Sequence, residues 1–397
     1  MEIYYKILEN PYKTYKNSFI YQKGLNTVTG SDFDLELETE NGFWITELDH
    51  IEKFYDKGTT LVTLRLPMDD SDFQMSKHAN YWRANKIIIC EEYSLYDIGT
   101  YEKFGLDILK NTRIVIYASR DSNIKFLDWW LNSGLDLPYG NKPMACASYT
   151  GHVNVLDWWF NSGLEIRYDA DAINYASTYG RVQVLDWWLN SGLELKYGKG
   201  AIESASDYGH VNVLDWWLNS GLDLLYGERT FENASDFGNV NVLDWWLNSG
   251  LELQYDNDPI TMASANGHIN VLNWWLNSGL DLRYDNEAIE YASGSGRINV
   301  LNWWLNSGLE LKYDEEAIDK AIRRNQKESV KWWIKSGLPL KYTTNIIQWA
   351  CENGHLDILE LWYEMALPFD SAEKSFQLAS ENNHLKILDW FRTNGFN

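Results

Sequence analysis

The sequence predicts a mainly α protein, a helical-pair solenoid of about eleven 29-residue repeats preceded by a small α+β N-terminal domain. Three observations predict it. Tryptophan doublets fall at 129/130, 158/159, 187/188, 216/217, 245/246, 274/275, 303/304 and 332/333, a constant step of 29 residues without insertion. The register continues in weaker form through Thr100-Tyr101, Leu361-Trp362 and Trp390-Phe391; a fixed period of this size with atypical ends marks a stacked array whose terminal repeats act as caps. Residues 1–81 carry no trace of the period. The expected boundaries are therefore a capping domain over 1–81 and the array over 82–397, degenerate in its first repeat and its last two.

In chain order, the N-terminal segment offers a short amphipathic helix, "ITELDHIEKFYDKG", stopped at Gly58, and an alternating half-buried strand, "TTLVTLRLP" from Thr59 to Pro67. The acidic run from Asp32 to Asn41 reads as a solvated strand or loop. No apolar run approaches the ~20 residues that cross a bilayer, and the first residues lack the charged start and apolar stretch of a signal peptide. A cytoplasmic protein with no membrane partner is the expectation.

Each repeat reads as two helices. The first, "AIESASDYG" (Ala201 to Gly209), places Ile202, Ala205 and Ser206 on one face after a short turn, where Asp169, Asp256, Asp285 and Asp314 are candidate N-caps in their repeats. The second, "VNVLDWWLNS", is stopped by Gly221 followed by Leu222, a left-handed residue and an apolar one folding back. On a wheel of ~100° per residue the apolar residues Val211, Val213, Leu214, Trp216, Trp217 and Leu218 span about 220°, so the helix should be covered on three sides. Trp217 lies mid-arc and should be deep core. Trp216 lies at its edge beside Asn212 and Asn219, where a ring can pack while its N–H finds a polar partner.

The string "ASDYGHVNVLDWWLNSGLDL" resembles an ankyrin repeat at Ala205-Ser206, Gly209-His210, Val213-Leu214, Trp216-Trp217 and Gly221-Leu222-Asp223. It departs from the family in its period, 29 against a usual 33, and in replacing the "T-P-L-H" tetrapeptide by forms such as Gly200-Ala201-Ile202-Glu203. The shorter period implies a shortened β-turn finger between repeats. The doublets, with the leading segment "NGFWITELDHIEKFYDKGTTLVTLRLPMDDSDFQ" and "WRANKIII", are similar to the ankyrin-repeat proteins of large DNA viruses that infect amoebae. The resemblance implies an ankyrin-like solenoid, a protein partner from the host, and host cytoplasm as location.

The residues that could carry chemistry are mostly absorbed by the period. His152, His210, His268, His355 and His384 share one position, which reads as a bond to backbone at the helix turn; successive copies stand roughly 10 Å apart, too far to share an ion. His50 and His78 have no second ligand at spacing, and Cys90, Cys146 and Cys351 suggest neither disulfides nor a thiolate site. No phosphate loop or nucleophile motif occurs, so no enzyme activity, metal or cofactor is expected. A formal charge of −23 repels phosphate backbones and excludes nucleic acid as a partner of the whole molecule. The acidic columns Asp128, Asp157, Asp186, Asp215, Asp244 and Asp136, Glu165, Glu194, Asp223, Glu252, Asp281, Glu310 read first as solubilising groups, second as a surface for a basic protein.

A solenoid holds its frame constant and varies selected surface positions. The second helix barely changes from 153 to 309, whereas the first varies at Tyr175, Ser204, Asn233, Met262, Tyr291, Lys320 and Trp349, and again at Tyr179, Tyr208, Phe237, Asn266, Ser295, Arg324 and Asn353. By the resemblance, the first of these columns faces the concave surface and contacts partners. One repeat is basic, with Lys320, Arg323, Arg324, Lys327, Lys331, Lys335 and Lys341; either its neighbouring carboxylates pair with it or it docks an acidic partner. The expected function is a monomeric, non-enzymatic scaffold that binds a protein through Tyr175, Ser204, Asn233, Met262, Tyr291, Lys320, Trp349, Arg323 and Arg324. The alternatives are a structural component of a viral particle or filament and a modifying activity in the N-terminal domain.

Overall fold

A computed structural model describes residues 2–9, 19–28, 42–369 and 372–396. They fall into two compact bodies, one within Met1–Ala176 and Gln183–Lys196, the other within Ser177–Val182 and Tyr197–Asn397. The fold class is the predicted one: a small sheet region followed by helices that pack in sequence as pairs. The acidic run Asp32 to Asn41 lies outside the described residues.

Among its described residues the first body opens with seven strands, β1 Tyr4–Leu8, β2 Gly24–Thr27, β3 Phe43–Ile45, β4 Thr60–Arg65, β5 Met75–Lys77, β6 Trp82–Ala84 and β7 Lys86–Ser94. They form two antiparallel sheets, β1-β4-β7-β2 and β3-β6-β5, joined by a bridge from Tyr5 to Thr46 and filled by Tyr4, Leu8, Phe43, Val62, Leu64, Ile87 and Ile89. The predicted short helix is a 3-10 helix, Leu48–Lys57. β4 lies between β1 and β7, and Leu61 to Leu64 are all buried, so both its faces are covered rather than the one that its alternation suggested. Residues 82–94, which the period alone assigns to the array, are β6 and β7. The first helix of the array proper is Ile98–Phe104, ended by the left-handed Gly105; it is the second helix of a degenerate first repeat.

Ten complete helix pairs follow among the described residues, from Ile114–Arg120 with Ile124–Ser133 to Ala372–Glu381 with Leu385–Thr393. Lys199–Asp207 with Val211–Asn219 is representative. Asp256, Asp285 and Asp314 stand one residue before the N-caps Asn257, Asn286 and Glu315 rather than at them, and they and Asp169 each accept the backbone N–H two residues on at 2.9–3.1 Å. The eight stop glycines, Gly134 to Gly337, have φ between 69° and 81°, a conformation that a side chain strains. No strand follows Ser94 among the described residues, so the shortened connection forms no hairpin finger.

The doublet is two devices. The second tryptophan is core: Trp159, Trp188, Trp217, Trp246, Trp275, Trp304 and Trp333 are at most 1% exposed. Each donates its indole N–H, at 2.7–3.2 Å, to the buried serine hydroxyl forty residues back, on the first helix of the preceding repeat (Ser119, Ser148, Ser177, Ser206, Ser235, Ser264, Ser293). The first tryptophan is half-buried, and its N–H reaches thirty residues back, as from Trp158 to Asp128, Trp187 to Asp157, Trp245 to Asp215, Trp274 to Asp244, Trp303 to Asn273 and Trp332 to Asn302, at 2.6–2.8 Å. The aspartate column on the second helix is thus a set of acceptors between repeats rather than a solubilising charge. Replacing Asp215 by Asn should leave stability nearly unchanged, because Asn273 and Asn302 already do the same work with one oxygen. Asp215→Ala should cost ~0.5–1.5 kcal/mol in denaturant unfolding, the net worth of one hydrogen bond.

A third tie runs forward. Tyr139, Tyr168, Tyr197, Tyr226, Tyr255, Tyr284 and Tyr313 donate their hydroxyls at 2.9–3.3 Å to a backbone carbonyl twenty-six residues on. The apolar arc of the second helix is narrower than the wheel gave. Val213, Leu214 and Trp217 are buried, but Leu218 is 37% exposed, so the helix is covered by its partner and its neighbours without its outer edge being closed.

Candidate interaction surface

With the second helix committed to holding the stack, the positions that vary lie on and just after the first helix. Of the first variable column, Tyr175 is exposed while Ser204, Asn233, Met262, Tyr291, Lys320 and Trp349 are half-buried. Several already have neighbours: Tyr175 meets Tyr149 edge-on with centroids 6.3 Å apart, Lys320 Nζ lies 4.3 Å above the Tyr291 ring, and Trp349 packs on His355 at 5.3 Å. The second variable column stands further out. Tyr208 is 56% and Phe237 53% exposed, and both residues are the C-caps of their first helices, Lys199–Asp207 and Arg229–Asp236, bonded through their backbone N–H groups. Tyr179, Tyr208 and Phe237 form a row with centroids 6.3 and 6.1 Å apart and planes within 29° of parallel.

The basic repeat is largely self-neutralised. Lys320 Nζ is 2.5 Å from Glu290 of the preceding repeat, a carboxylate whose side chain is 4% exposed. Burial, the largest influence, holds Glu290 above its ordinary pKa despite the opposing pull of Lys320. Arg323 bridges to Glu316 at 2.7 Å and to the fully buried Asp319 at 3.6 Å. Asp319 in turn accepts the Thr343 hydroxyl at 2.6 Å and the Thr343 backbone N–H at 3.1 Å. Lys341 lies over the ring of Tyr313 and donates to its carbonyl, one of a ladder of cations that Lys196 and Lys312 repeat over Tyr168 and Tyr284. Arg324 is exposed and reaches only the Ser295 hydroxyl at 3.5 Å. Of the three cations named as candidate contacts, Lys320 and Arg323 are therefore paired within the stack.

The periodic histidines bond backbone across repeats, as their spacing indicated. His268 Nε2 donates to Asp236 O at 2.8 Å, His384 Nε2 to Glu352 O at 2.8 Å and His355 Nδ1 to Ile322 O at 3.0 Å. A Cβ on Gly238 would lie 2.8 Å from His268 Nδ1, which is why the residue at that turn has no side chain. Burial lowers the pKa of His210, against the opposing pull of its bond to the Thr178 backbone. Among the described residues no group of three or more His, Cys, Asp or Glu is placed to hold a metal ion, and no helix is long and apolar enough to cross a membrane.

No protein-family model matches the chain. Over 108 residues, 27% of this chain, it is 40% identical to an uncharacterized protein of Acanthamoeba polyphaga mimivirus. Over 137 residues, 33% of this chain, it is 28% identical to a second protein of that virus, whose name is that of an ankyrin repeat protein. The chain is similar to mimivirus ankyrin-repeat proteins. The matches span 34% and 41% of the two relatives' own lengths. The ankyrin-type positions at the helix turn, Gly209-His210 and its counterparts, are those at which the histidine bond and the side-chain-free glycine meet, so the resemblance rests on residues with a physical task.

Proposed function

We propose that the chain is a non-enzymatic scaffold that holds another protein, a host-cell protein in the cytoplasm, through the first-helix face of its repeats. One observation carries this reading. The positions that stay constant from repeat to repeat are spent on ties between repeats, whereas the surface positions that differ lie on the first helix and include large rings. Constancy inside and variation outside is how a repeat frame is adapted to a partner, and rigid aromatics are common interface anchors. The similarity to an ankyrin repeat protein supports the same reading. The sheet region ahead of the repeats is assigned a capping role: it covers the otherwise open start of the array.

The test is affinity capture from host-cell lysate with the full chain, read by mass spectrometry. A defined protein should be recovered by the wild type. Tyr175→Ala, Tyr291→Ala and Trp349→Ala together should abolish its recovery while the far-UV circular dichroism stays unchanged. Undiminished recovery by the triple variant overturns the assignment of those positions. If no protein is recovered and the chain is abundant in purified particles, the scaffold reading gives way to a structural one.

A further inference from the structure

We infer that the exposed row Tyr179, Tyr208 and Phe237, all within the second body, docks an extended, arginine-bearing segment of a protein partner. The inference rests on the scaffold reading and specifies the chemistry of one contact. Three features at this place each favour a cation. The rings are the first: aromatic faces attract guanidinium groups, and Tyr208 and Phe237 are each more than half exposed. The second is their position. Tyr208 and Phe237 sit at the C-terminal caps of Lys199–Asp207 and Arg229–Asp236, the negative end of each helix dipole, where Asn239 and His268 donate to the terminal carbonyls of Asp207 and Asp236.

The third is charge left unbalanced. The same two helices carry Glu203, Asp207, Glu232 and Asp236 against Lys199 and Arg229, an acidic excess, and among the described residues none of the four carboxylates joins an ion pair, in contrast to the self-neutralised repeat around Lys320 and Arg323. Burial is the largest influence in raising the carboxyl of Asp207 above its ordinary pKa, with Glu203 and Asp236 adding to it and the Asn233 hydrogen bond and Arg229 opposing it; burial likewise raises Glu232, with Asp258 adding and Arg229 opposing. A bound cation relieves this repulsion. The aromatic row ends at Asn266, whose amide donates to Asp236 Oδ1 at 2.5 Å.

Spacing selects the shape of the occupant. Residues i and i+2 of an extended chain point the same way and stand ~6.6 Å apart, which matches the ring spacings of 6.3 and 6.1 Å. A segment laid along the row therefore sets alternate side chains over successive rings. Arginine suits the site better than lysine, because its planar group lies flat on a ring while its fork reaches a carboxylate. The net charge of −23 steers such a segment inward and repels nucleic acid.

The test uses the full chain and two labelled peptides of equal charge, Arg-Ser-Arg-Ser-Arg and Arg-Arg-Arg-Ser-Ser, titrated by fluorescence anisotropy. The alternating peptide should bind more tightly. Tyr208→Ala with Phe237→Ala should weaken it about five- to tenfold, the loss of two exposed cation–π contacts, and Glu203→Gln with Asp236→Asn should weaken it and flatten its salt dependence. Tyr208 and Phe237 are exposed and Glu203 and Asp236 half-buried, and the two carboxylates are exchanged for isosteric amides, so circular dichroism should not change. Equal binding of the two peptides, or wild-type binding by the ring variant, overturns the inference. Lysate capture separates this failure from the broader one: a partner still captured when peptide discrimination is absent sinks only the docking site, whereas a wild-type chain that captures nothing sinks the scaffold reading on which the site depends.

Discussion

Trp217→Ala should lower the stability of the repeats by ~3–5 kcal/mol, the range for truncating a large buried aromatic. The ring is 1% exposed, lies against Tyr197 at 4.8 Å and Trp216 at 5.1 Å, and donates its N–H to Ser177 at 3.1 Å. Truncation thus leaves a cavity and orphans a hydroxyl at once. Trp217→Phe keeps most of the volume and loses the donor, so a cost of ~1–2 kcal/mol is expected. Trp216→Ala, removing a half-buried ring, should cost less than Trp217→Ala. Guanidinium unfolding of the three variants checks the order; equal losses for the two alanine variants would show that the two rings do not divide core from seam.

Lys320→Ala should be the second most damaging change, by ~3 kcal/mol at neutral pH, because it strips the counter-charge from a carboxylate that stays buried. Glu290 is enclosed between adjacent first helices with Lys320 at 2.5 Å and a hydrogen bond donated by the Asn286 side-chain amide. Its pKa is raised in the folded protein, so its protonated form is favoured by folding: the associated stability is full below the ordinary carboxyl range and is lost as pH rises through the folded value. Without Lys320 the folded value climbs further. The deficit of Lys320→Ala should therefore be greatest near neutrality and shrink on acidification towards the ordinary carboxyl range. Adding Glu290→Gln should restore most of the loss. Urea midpoints at several pH values decide the matter, and a deficit that grows on acidification would contradict it.

Much of this was legible in the sequence. The 29-residue step gave the helix pairs, the wheel put the second tryptophan mid-core, and the shared histidine position pointed to the turn bond. The wheel gave angles but no coverage, and so could not show that Leu218 is left half in solvent. The strands over 82–94 escaped because a period read backwards from the tryptophans says nothing about where its first copy begins. The aspartate column was misjudged because its partner is thirty residues away in the next repeat. A signal for that bond was present: Lys331 replaces the aspartate where the following repeat has Leu361 and no indole, Ile322 replaces the serine where Trp362 turns its N–H to Pro368 O at 2.9 Å, and Cys351 replaces it where the partner is Phe391. Of the candidate contacts, Lys320 and Arg323 are paired within the stack, one of the two outcomes that the basic repeat left open, while Tyr208 and Phe237 of the second variable column stand out as exposed rings.

The ties described above reach back forty and thirty residues and forward twenty-six, and all three offsets are measured against the same module. Duplicating or excising one whole copy reconnects every donor to an acceptor of the same kind. A change of 28 or 30 residues would misalign all three sets together. The length of this protein is thus quantised: its gene can grow or shrink in steps of 87 nucleotides, about 29 codons by the period itself, with each new junction already solved. Reach is the property that such steps adjust most cheaply, and the outer rings can then diverge one copy at a time.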